Sequence, residues 1–510
     1  MAWHHDIASE EELAGLAGAI VPALRHGDLV SLAGPLGAGK TAFARALIRA
    51  LAAPEKVEEV PSPTFTLVQT YDLPRLQVAH FDLYRLEDPA ALIELGFEES
   101  VAEGAVLIEW PERAGEMLPA DRLDVVIEMD MASGRRRFSL IGRGAWEERL
   151  ERLQRLAAFI DRAGWSSATR RHLHGDASQR TYERLVRAGE TMLLMNAPAR
   201  PDGPPIRDGR PYSAIAQLAE DVSAFIAIDN ILQEKGFSAP KIFAADLNEG
   251  FLLLEDFGDE TLLSGPTAEP DPERYAAAVD LLIAMRGQEW PQSVPIEGGR
   301  AHRVPPYGDA ALAIETELVL DWFAPVFGGG PVPAAAREEF SALWAVAFAH
   351  LRVEKPIWTL RDYHSPNLIW LGERQGIARI GLIDFQDAVV GHPAYDLVSL
   401  LQDARVEVPE GLEAELYRRY IMAAKQEGGF DVEAFGAAYA VLGAQRNTKI
   451  LGIFTRLWRR DGKAVYLSHL PRIARYLARD LRHPALADLT AWYRRVLPQA
   501  LDPVRLSGAA

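Results

Sequence analysis

Two short strings in this chain combine residue types that handle phosphate. The first, Gly34-Pro35-Leu36-Gly37-Ala38-Gly39-Lys40-Thr41, fits G-x-x-x-x-G-K-[ST]. Gly37 and Gly39 let backbone N–H groups curl around phosphate oxygens, and a helix opening at Lys40 adds its dipole. Lys40 is expected to reach the β/γ-phosphates of ATP, and the Thr41 hydroxyl to hold Mg²⁺. Such a loop also needs a carboxylate on the metal side. Two expected strands end in one: VAHF leads to Asp82, and the wholly apolar AVLI leads to Glu109, followed by Trp110 and Pro111. An acid after four apolar residues is costly to bury without a cation, which favours Glu109 over Asp82.

The second string, Arg361-Asp362-Tyr363-His364-Ser365-Pro366-Asn367, satisfies the R-D-x-x-x-x-N part of a phosphotransfer loop. Asp362 would accept the proton of an acceptor hydroxyl, and Asn367 would ligate a magnesium ion. Seventeen residues beyond Asn367, RIGLIDFQD places Asp384 at the end of an apolar strand, where a second metal-bridging aspartate belongs. Either motif alone is weak; in this order and at this spacing they support each other.

Positioning these groups takes a framework of suitable size. The chain has 510 residues, 48% hydrophobic and 25% charged, enough for more than one domain with its own core. Its lack of cysteine excludes a disulfide framework, a thiolate zinc site, an iron–sulfur cluster and a cysteine nucleophile. A formal charge of -18 argues against a protein that coats nucleic acid. The opening MAWHHDIASEEEL lacks a basic stretch followed by an apolar core, and no run of about 18 apolar residues occurs. A cytoplasmic protein with no membrane association is the expectation.

The first 140 residues alternate strand and helix signals. Ser9 with Glu12 forms a capping box, DLVSLAG (Asp28–Gly34) is a short apolar strand, and TAFARALIRALAA is a helix. Further strands are expected at FTLVQTYD, LQVAHFD, AVLIEW, LDVVIEM and RRFSLI, giving a mixed sheet flanked by helices. EERLERLQRLAAFIDRAG then reads as a charged amphipathic helix. Beyond it come strands around Tyr182–Val186, Thr191–Met195 and Phe251–Leu254, followed by long helical stretches. We divide the chain at residues 1–145, a helical connector 146–164, and 165–510. His4, His5, His172 and His174 read as terminus or linker residues, and Trp322 and Trp358 as core.

GPLGAGKT, PSPTFTLVQTYD, HFDLYRLEDP and LIEWPERAGEMLP, in that order, resemble the TsaE family over roughly residues 10–145. TsaE is the ATPase of the bacterial machinery making N6-threonylcarbamoyladenosine on tRNA. The resemblance implies ATP and Mg²⁺ roles for Lys40, Thr41, Asp82, Glu109 and Trp110. It also implies a switch-like loop at Pro63-Thr64-Phe65-Thr66, partnership with TsaB and TsaD, and contact with tRNA only through that complex.

The second half is similar to the aminoglycoside-phosphotransferase-like kinases, which share the bilobal protein-kinase plan. LLLEDFGD fits the hinge, where backbone groups near Glu255 and Phe257 would hold adenine. Leu360 stands where such loops often have His. The nucleotide-pairing lysine is absent, with Met195 and Asn196 in its place. Within that superfamily GDASQRTYERL, MLLMNAP, RDYHSPNLIWL and GLIDFQDAVVGHPAYDLVSLLQDAR resemble AmgK-like kinases of N-acetylmuramate and N-acetylglucosamine, which also lack the lysine. Ser178 and Arg180 then fall in the nucleotide-covering loop, where Arg180 is either a phosphate-side charge or a surface residue. Asp396 is expected to anchor the catalytic loop, and His364 is either a substrate contact or a loop-stabilising group.

The fold expected is thus an α/β P-loop NTPase domain followed by an α+β bilobal kinase-like domain. The function expected is an ATPase of tRNA modification fused to an amino-sugar kinase making a 1-phosphate in peptidoglycan recycling. Two alternatives stand beside it: an aminoglycoside or choline-like acceptor, or an inactive kinase lobe that regulates assembly.

Overall fold

The strands of the first half are apolar on both faces where they lie centrally, as a parallel sheet covered by helices requires. The structure, a computed structural model, describes residues 2–52, 59–129, 135–173, 180–199, 203–352 and 355–508. Seven strands make the first sheet: β1 (Ala2–Ile7), β2 (Leu29–Ala33), β3 (Val68–Tyr71), β4 (Gln77–Asp82), β5 (Gly104–Glu109), β6 (Arg122–Met129) and β7 (Arg136–Arg143). Their order is β1-β7-β6-β2-β5-β4-β3. The central strands β6, β2, β5 and β4 run parallel, and the outer pairs are antiparallel. Register sets Asp82 beside Glu109, and Leu32 beside Glu109 from the other side. Both acids therefore stand at the C-terminal edge of the parallel strands, where open α/β sheets bind ligands.

Helix α1 (Glu10–Ile20) begins with the expected cap: Ser9 Oγ accepts from Glu12 N, and Glu12 Oε2 accepts from Ala8 N. Helix α2 (Lys40–Ala52) follows the glycine-rich loop directly. Strand β1 was not expected. It pairs along β7 and places His4 and His5 in the sheet, His4 Nδ1 lying 2.8 Å from Ser139 Oγ. Its apolar residues are too few to announce a strand; backbone pairing supplies the rest.

After two short helices, α3 (Ala91–Glu94) and α4 (Phe97–Glu103), comes α5 (Trp146–Arg162). Trp146 and Leu150 on α5 join the core of the first sheet. Leu156, Phe159 and Ile160, further along, join the core of a second sheet with Leu185, Leu194 and Phe251. That second sheet is antiparallel, in the order β11-β12-β10-β9-β8. It comprises β8 (Thr169–Leu173), β9 (Thr181–Arg187), β10 (Glu190–Asn196), β11 (Ile242–Asp246) and β12 (Phe251–Glu255). Arg149 bridges to Asp28 in the first sheet's domain, and Arg152 donates to Asn196 Oδ1 and Glu249 O beside the second. The amphipathic segment is a buried shared support, not an exposed tether.

By contact density the chain forms two compact units, residues 1–198 with 242–256, and residues 199–241 with 257–510. The second unit is mainly helical. Its longest helix, Val432–Asp461, runs through the core with helices Asp309–Leu318, Ala394–Leu401 and Leu470–Asp480 packed against it. Two short strand pairs carry loops: Ile357–Thr359 with Val389–Gly391, and Leu368–Trp370 with Ile380–Leu382. Trp358 is fully buried, whereas Trp322 is only half-buried. Among the described residues no helix is long and apolar enough to cross a membrane.

One core group makes stability depend on pH. Asp480 accepts from Gln402 Nε2 at 2.8 Å and Asn447 Nδ2 at 3.1 Å, yet burial pushes its pKa up to about 7. Its unfolded value is about 3.9, so between about pH 4 and 7 the native state binds the extra proton. Its contribution to stability therefore falls as pH rises through that window. Thermal midpoints measured from pH 5 to 8 should vary less in Asp480→Asn than in the parent chain.

Candidate functional sites

The loop between β2 and α2 needs backbone that most residues avoid: Gly34, Gly37 and Gly39 have φ of 151°, 78° and 107°. At Gly34 a Cβ would also meet the Ile127 carbonyl oxygen at 2.5 Å, so this position takes only glycine. Lys40, 4% exposed, donates through Nζ to Gly34 O at 2.8 Å and Pro35 O at 3.0 Å. The ammonium also lies 3.5 Å from the centroid of the Trp110 ring. Burial lowers the Lys40 pKa, against the nearby charges of Glu109, Glu112 and Asp82. Trp110 itself sits in left-handed backbone, φ 60°, with its ring 5.0 Å from that of Tyr84.

Around this lysine the sheet assembles oxygen ligands. Thr41 Oγ1 donates to Glu109 Oε2 at 3.0 Å. The other Glu109 oxygen lies 3.0 Å from His80 Nε2, in a pair shielded from solvent. Asp82 is 3% exposed and accepts from Thr64 Oγ1 at 2.6 Å, Ser62 Oγ at 3.2 Å and Tyr84 N at 3.1 Å. The Pro63–Thr66 loop is thus tied to the end of β4. A hydroxyl and two buried carboxylates on adjacent strands suit a hard divalent cation such as Mg²⁺. Sequence motifs missed two neighbours. His80 lies two residues before Asp82, and the Arg136 guanidinium leans over the loop, its Nη1 3.7 Å from where a Gly39 Cβ would stand.

In the second sheet, Met195 is buried and Asn196 faces Arg152, so neither supplies a cation. Glu255 ends β12, and Asp256 takes a two-point ion pair from Arg184, at 2.6 and 3.1 Å, ahead of Phe257. Arg180 directly precedes β9; Ser178 and His174 lie outside the described residues.

In the mainly helical unit, Asp362 and Asn367 share one tight loop, with Asn367 Nδ2 donating to the Asp362 carbonyl at 3.0 Å. That bond leaves the Asn367 side-chain oxygen for a cation. Asp384 follows strand Ile380–Leu382 in left-handed backbone, φ 57°, and its Oδ1 accepts from Gln386 Nε2 at 3.0 Å. Since Leu368–Trp370 and Ile380–Leu382 pair, the residues flanking the hairpin, Asn367 and Asp384, come together: Ile383 N donates to Asn367 O. An amide oxygen and a carboxylate at one hairpin base fit Mg²⁺ shared with phosphate oxygens.

The loop is held from beneath. Asp396 accepts from Leu360 N at 2.7 Å and Arg361 N at 3.0 Å, the expected anchor. Burial raises its pKa to about 7 despite those two bonds. Arg361, at φ 68°, pairs with the buried Glu315, which also takes Lys449 Nζ at 3.0 Å, Tyr307 OH at 2.6 Å and Gln445 Nε2 at 2.9 Å. Burial would raise the Asp362 carboxyl, but His364, Lys449, Arg361 and Arg446 outweigh it and hold it low. Asp362 is thus held as a carboxylate. Burial, with Arg405 and Arg446, takes His364 down to about 4 against the pull of Asp403 and Asp362, so its ring is neutral at pH 7.

Comparison with known proteins follows this division. The family model described as threonylcarbamoyl adenosine biosynthesis protein TsaE matches residues 7–138, and that of the phosphotransferase enzyme family matches residues 169–439. An N-acetylmuramate/N-acetylglucosamine kinase of Caulobacter vibrioides is 41% identical over 360 residues, 68% of this chain and 97% of its own length. A kinase of the same description from Pseudomonas putida is 32% identical over 318 residues, covering 62% and 84% respectively. The TsaE protein of Rickettsia conorii is 40% identical over 124 residues, 24% of this chain and 70% of that protein. With ATP-handling motifs set in both matched segments, the chain is a kinase of the phosphotransferase enzyme family that carries a TsaE-family ATPase domain in the same polypeptide.

Proposed function

We propose that this chain phosphorylates the anomeric hydroxyl of N-acetylmuramate and N-acetylglucosamine, and that its first domain serves tRNA threonylcarbamoylation with TsaB and TsaD as partners, tRNA being met only through them. Peptidoglycan recycling in the cytoplasm is the setting this gives the kinase. The carrying observation is the identity with the Caulobacter kinase over nearly all of that protein, combined with Asp362, Asn367 and Asp384 held at one loop and hairpin.

In the kinase half, Asp362 takes the proton of the anomeric hydroxyl as that oxygen bonds to the γ-phosphorus and the bond from phosphorus to the β-bridging oxygen breaks, releasing ADP. Asn367 and Asp384 are the residues that would hold Mg²⁺, which when bound offsets phosphate charge. Backbone near Glu255 and Phe257 would meet adenine, and Ser178 and Arg180 would cover the phosphates. In the ATPase half, Gly37, Gly39 and Lys40 would surround the phosphates above Trp110, and Thr41, Glu109 and Asp82 would hold Mg²⁺.

Phosphorus NMR of reactions with N-acetylmuramate, N-acetylglucosamine, choline and kanamycin tests the acceptor. Anomeric phosphate should form from the first two, and a product only from choline or kanamycin would refute the reading. Lys40→Ala should abolish nucleotide binding by the ATPase half while sugar phosphorylation at saturating ATP persists, since its phosphate loop shares no residue with Asp362, Asn367 or Asp384. Glu109→Ala should lower ATP turnover more than nucleotide affinity, because backbone N–H groups supply most phosphate contacts; assays with TsaB and TsaD present would read both. Asp384→Asn should be nearly inactive. Asp362→Asn should keep sugar and nucleotide affinity by calorimetry and lose turnover by roughly 10²–10⁴-fold, as expected for loss of a general base.

A further inference from the structure

The helix Val432–Asp461 carries an arginine whose charge acts on the catalytic loop and whose Nη1 no described residue binds. Arg446 is 5% exposed, and its Nη1 is buried with no hydrogen-bond partner among the described residues. Three other acids of this core already have hydrogen-bond or ion-pair partners. Asp396 is occupied by the amides of Leu360 and Arg361. Asp403 accepts from the amides of Ser365, Arg405 and Val406. Glu315 is shared between two cations, Arg361 and Lys449, the latter one turn along the helix from Arg446.

A second buried polar atom without a partner lies on the loop itself. His364 is 5% exposed, its Nδ1 lacks a partner among the described residues, and its Nε2 lies 3.5 Å from Arg405 Nη1. His364 N donates to the Asp362 carbonyl at 3.1 Å, so its ring belongs to the same loop as Asp362. The field of Arg446 reaches Asp362, His364 and Asp396 alike. A buried guanidinium nitrogen without a hydrogen-bond partner is costly, and a carboxylate is the planar anion that matches its fork of donors.

We infer that Arg446 is a specificity-determining residue that receives a carboxylate on the acceptor sugar, the lactyl group by which N-acetylmuramate differs from N-acetylglucosamine. The assignment rests on the kinase reading above and deepens it. A cationic acceptor such as an aminoglycoside would meet Arg446 and Arg405 unfavourably, so the same feature argues against that class.

Steady-state kinetics of the full chain with N-acetylmuramate, its methyl ester and N-acetylglucosamine test this. In Arg446→Gln the ratio of kcat/KM for N-acetylmuramate to that for N-acetylglucosamine should fall roughly 10- to 100-fold, mostly through KM, as expected for a lost charge-assisted hydrogen bond. The parent chain should prefer the free acid to the ester, and Arg446→Gln should lose that preference. Arg446→Lys should restore part of the ratio, and it decides the matter if the glutamine variant does not fold. Equal losses for both sugars would make Arg446 a support for Asp362 and overturn the inference, as would an unchanged ratio. A parent chain that phosphorylates neither sugar would instead sink the functional reading, and the inference with it.

Discussion

A single buried carboxylate, Glu315, determines whether the kinase loop can exist in its observed form. It is 1% exposed and faces Arg361, 3% exposed, across a direct ion pair. Removing one partner of such a pair costs about 3–5 kcal/mol, because the other charge stays buried alone. Its effects spread along the chain. Arg361 also donates to the carbonyls of Ala216 and Gln217, fastening the segment after the second sheet, and its own backbone fixes where Asp362 begins. Lys449, Gln445 and Tyr307 converge on the same acid, so the long helix, helix Asp309–Leu318 and the catalytic loop are set by one centre. Burial tends to neutralise Glu315, and its cations reverse that: its pKa lies below the ordinary value, and that of Arg361 well above.

The ATPase domain rests on different physics. Its acids end regular parallel strands, so pleat and register alone place Asp82 beside Glu109. What ties this domain to its neighbour is α5, whose successive turns contribute to two apolar cores. Burying a large apolar side chain is worth about 1.5–3 kcal/mol. Trp146 and Leu150 at one end, and Leu156, Phe159 and Ile160 at the other, therefore make separation of the ATPase sheet from the five-stranded sheet expensive. The phosphate loop lies at the far end of β2 from this support, which is compatible with joined frameworks and separate chemistries.

Local chemistry was legible in the sequence, and remote contributions were not. Gly34–Thr41, Asp82, Glu109, Asp362, Asn367 and Asp384 each belong to a motif or end an apolar run, and pattern reading finds such residues. The anchoring role of Asp396 could be read because it follows Asp384 closely. Strand β1 escaped because hydrogen bonds to β7, rather than an apolar alternation, define it. Glu315, Lys449 and Arg446 escaped for another reason: helical periodicity tells which face is buried, but not that a charge on that face meets a loop tens of residues away. For α5 the periodicity gave the helix and its apolar face correctly. It could not say that the face divides between two cores, because that depends on the sheets packed against it.

Backbone strain marks the difference between the sites most directly. Trp110, Arg361 and Asp384 all have positive φ, which costs a non-glycine residue about 1–3 kcal/mol. In the ATPase domain the strained residue follows Glu109, so the carboxylate keeps regular strand geometry while the next ring turns beneath Lys40. In the kinase, strain falls on Asp384 itself and on Arg361, the residue before Asp362. Strain there persists only because the surroundings over-determine it: two amides bind Asp396, Gln386 binds Asp384, and Glu315 binds Arg361. Each of these restraints comes from a different segment of the unit, so loosening any one relaxes the loop while leaving Asp362, Asn367 and Asp384 chemically intact. Loss of kinase activity with all three residues retained is therefore the signature of failure in this architecture.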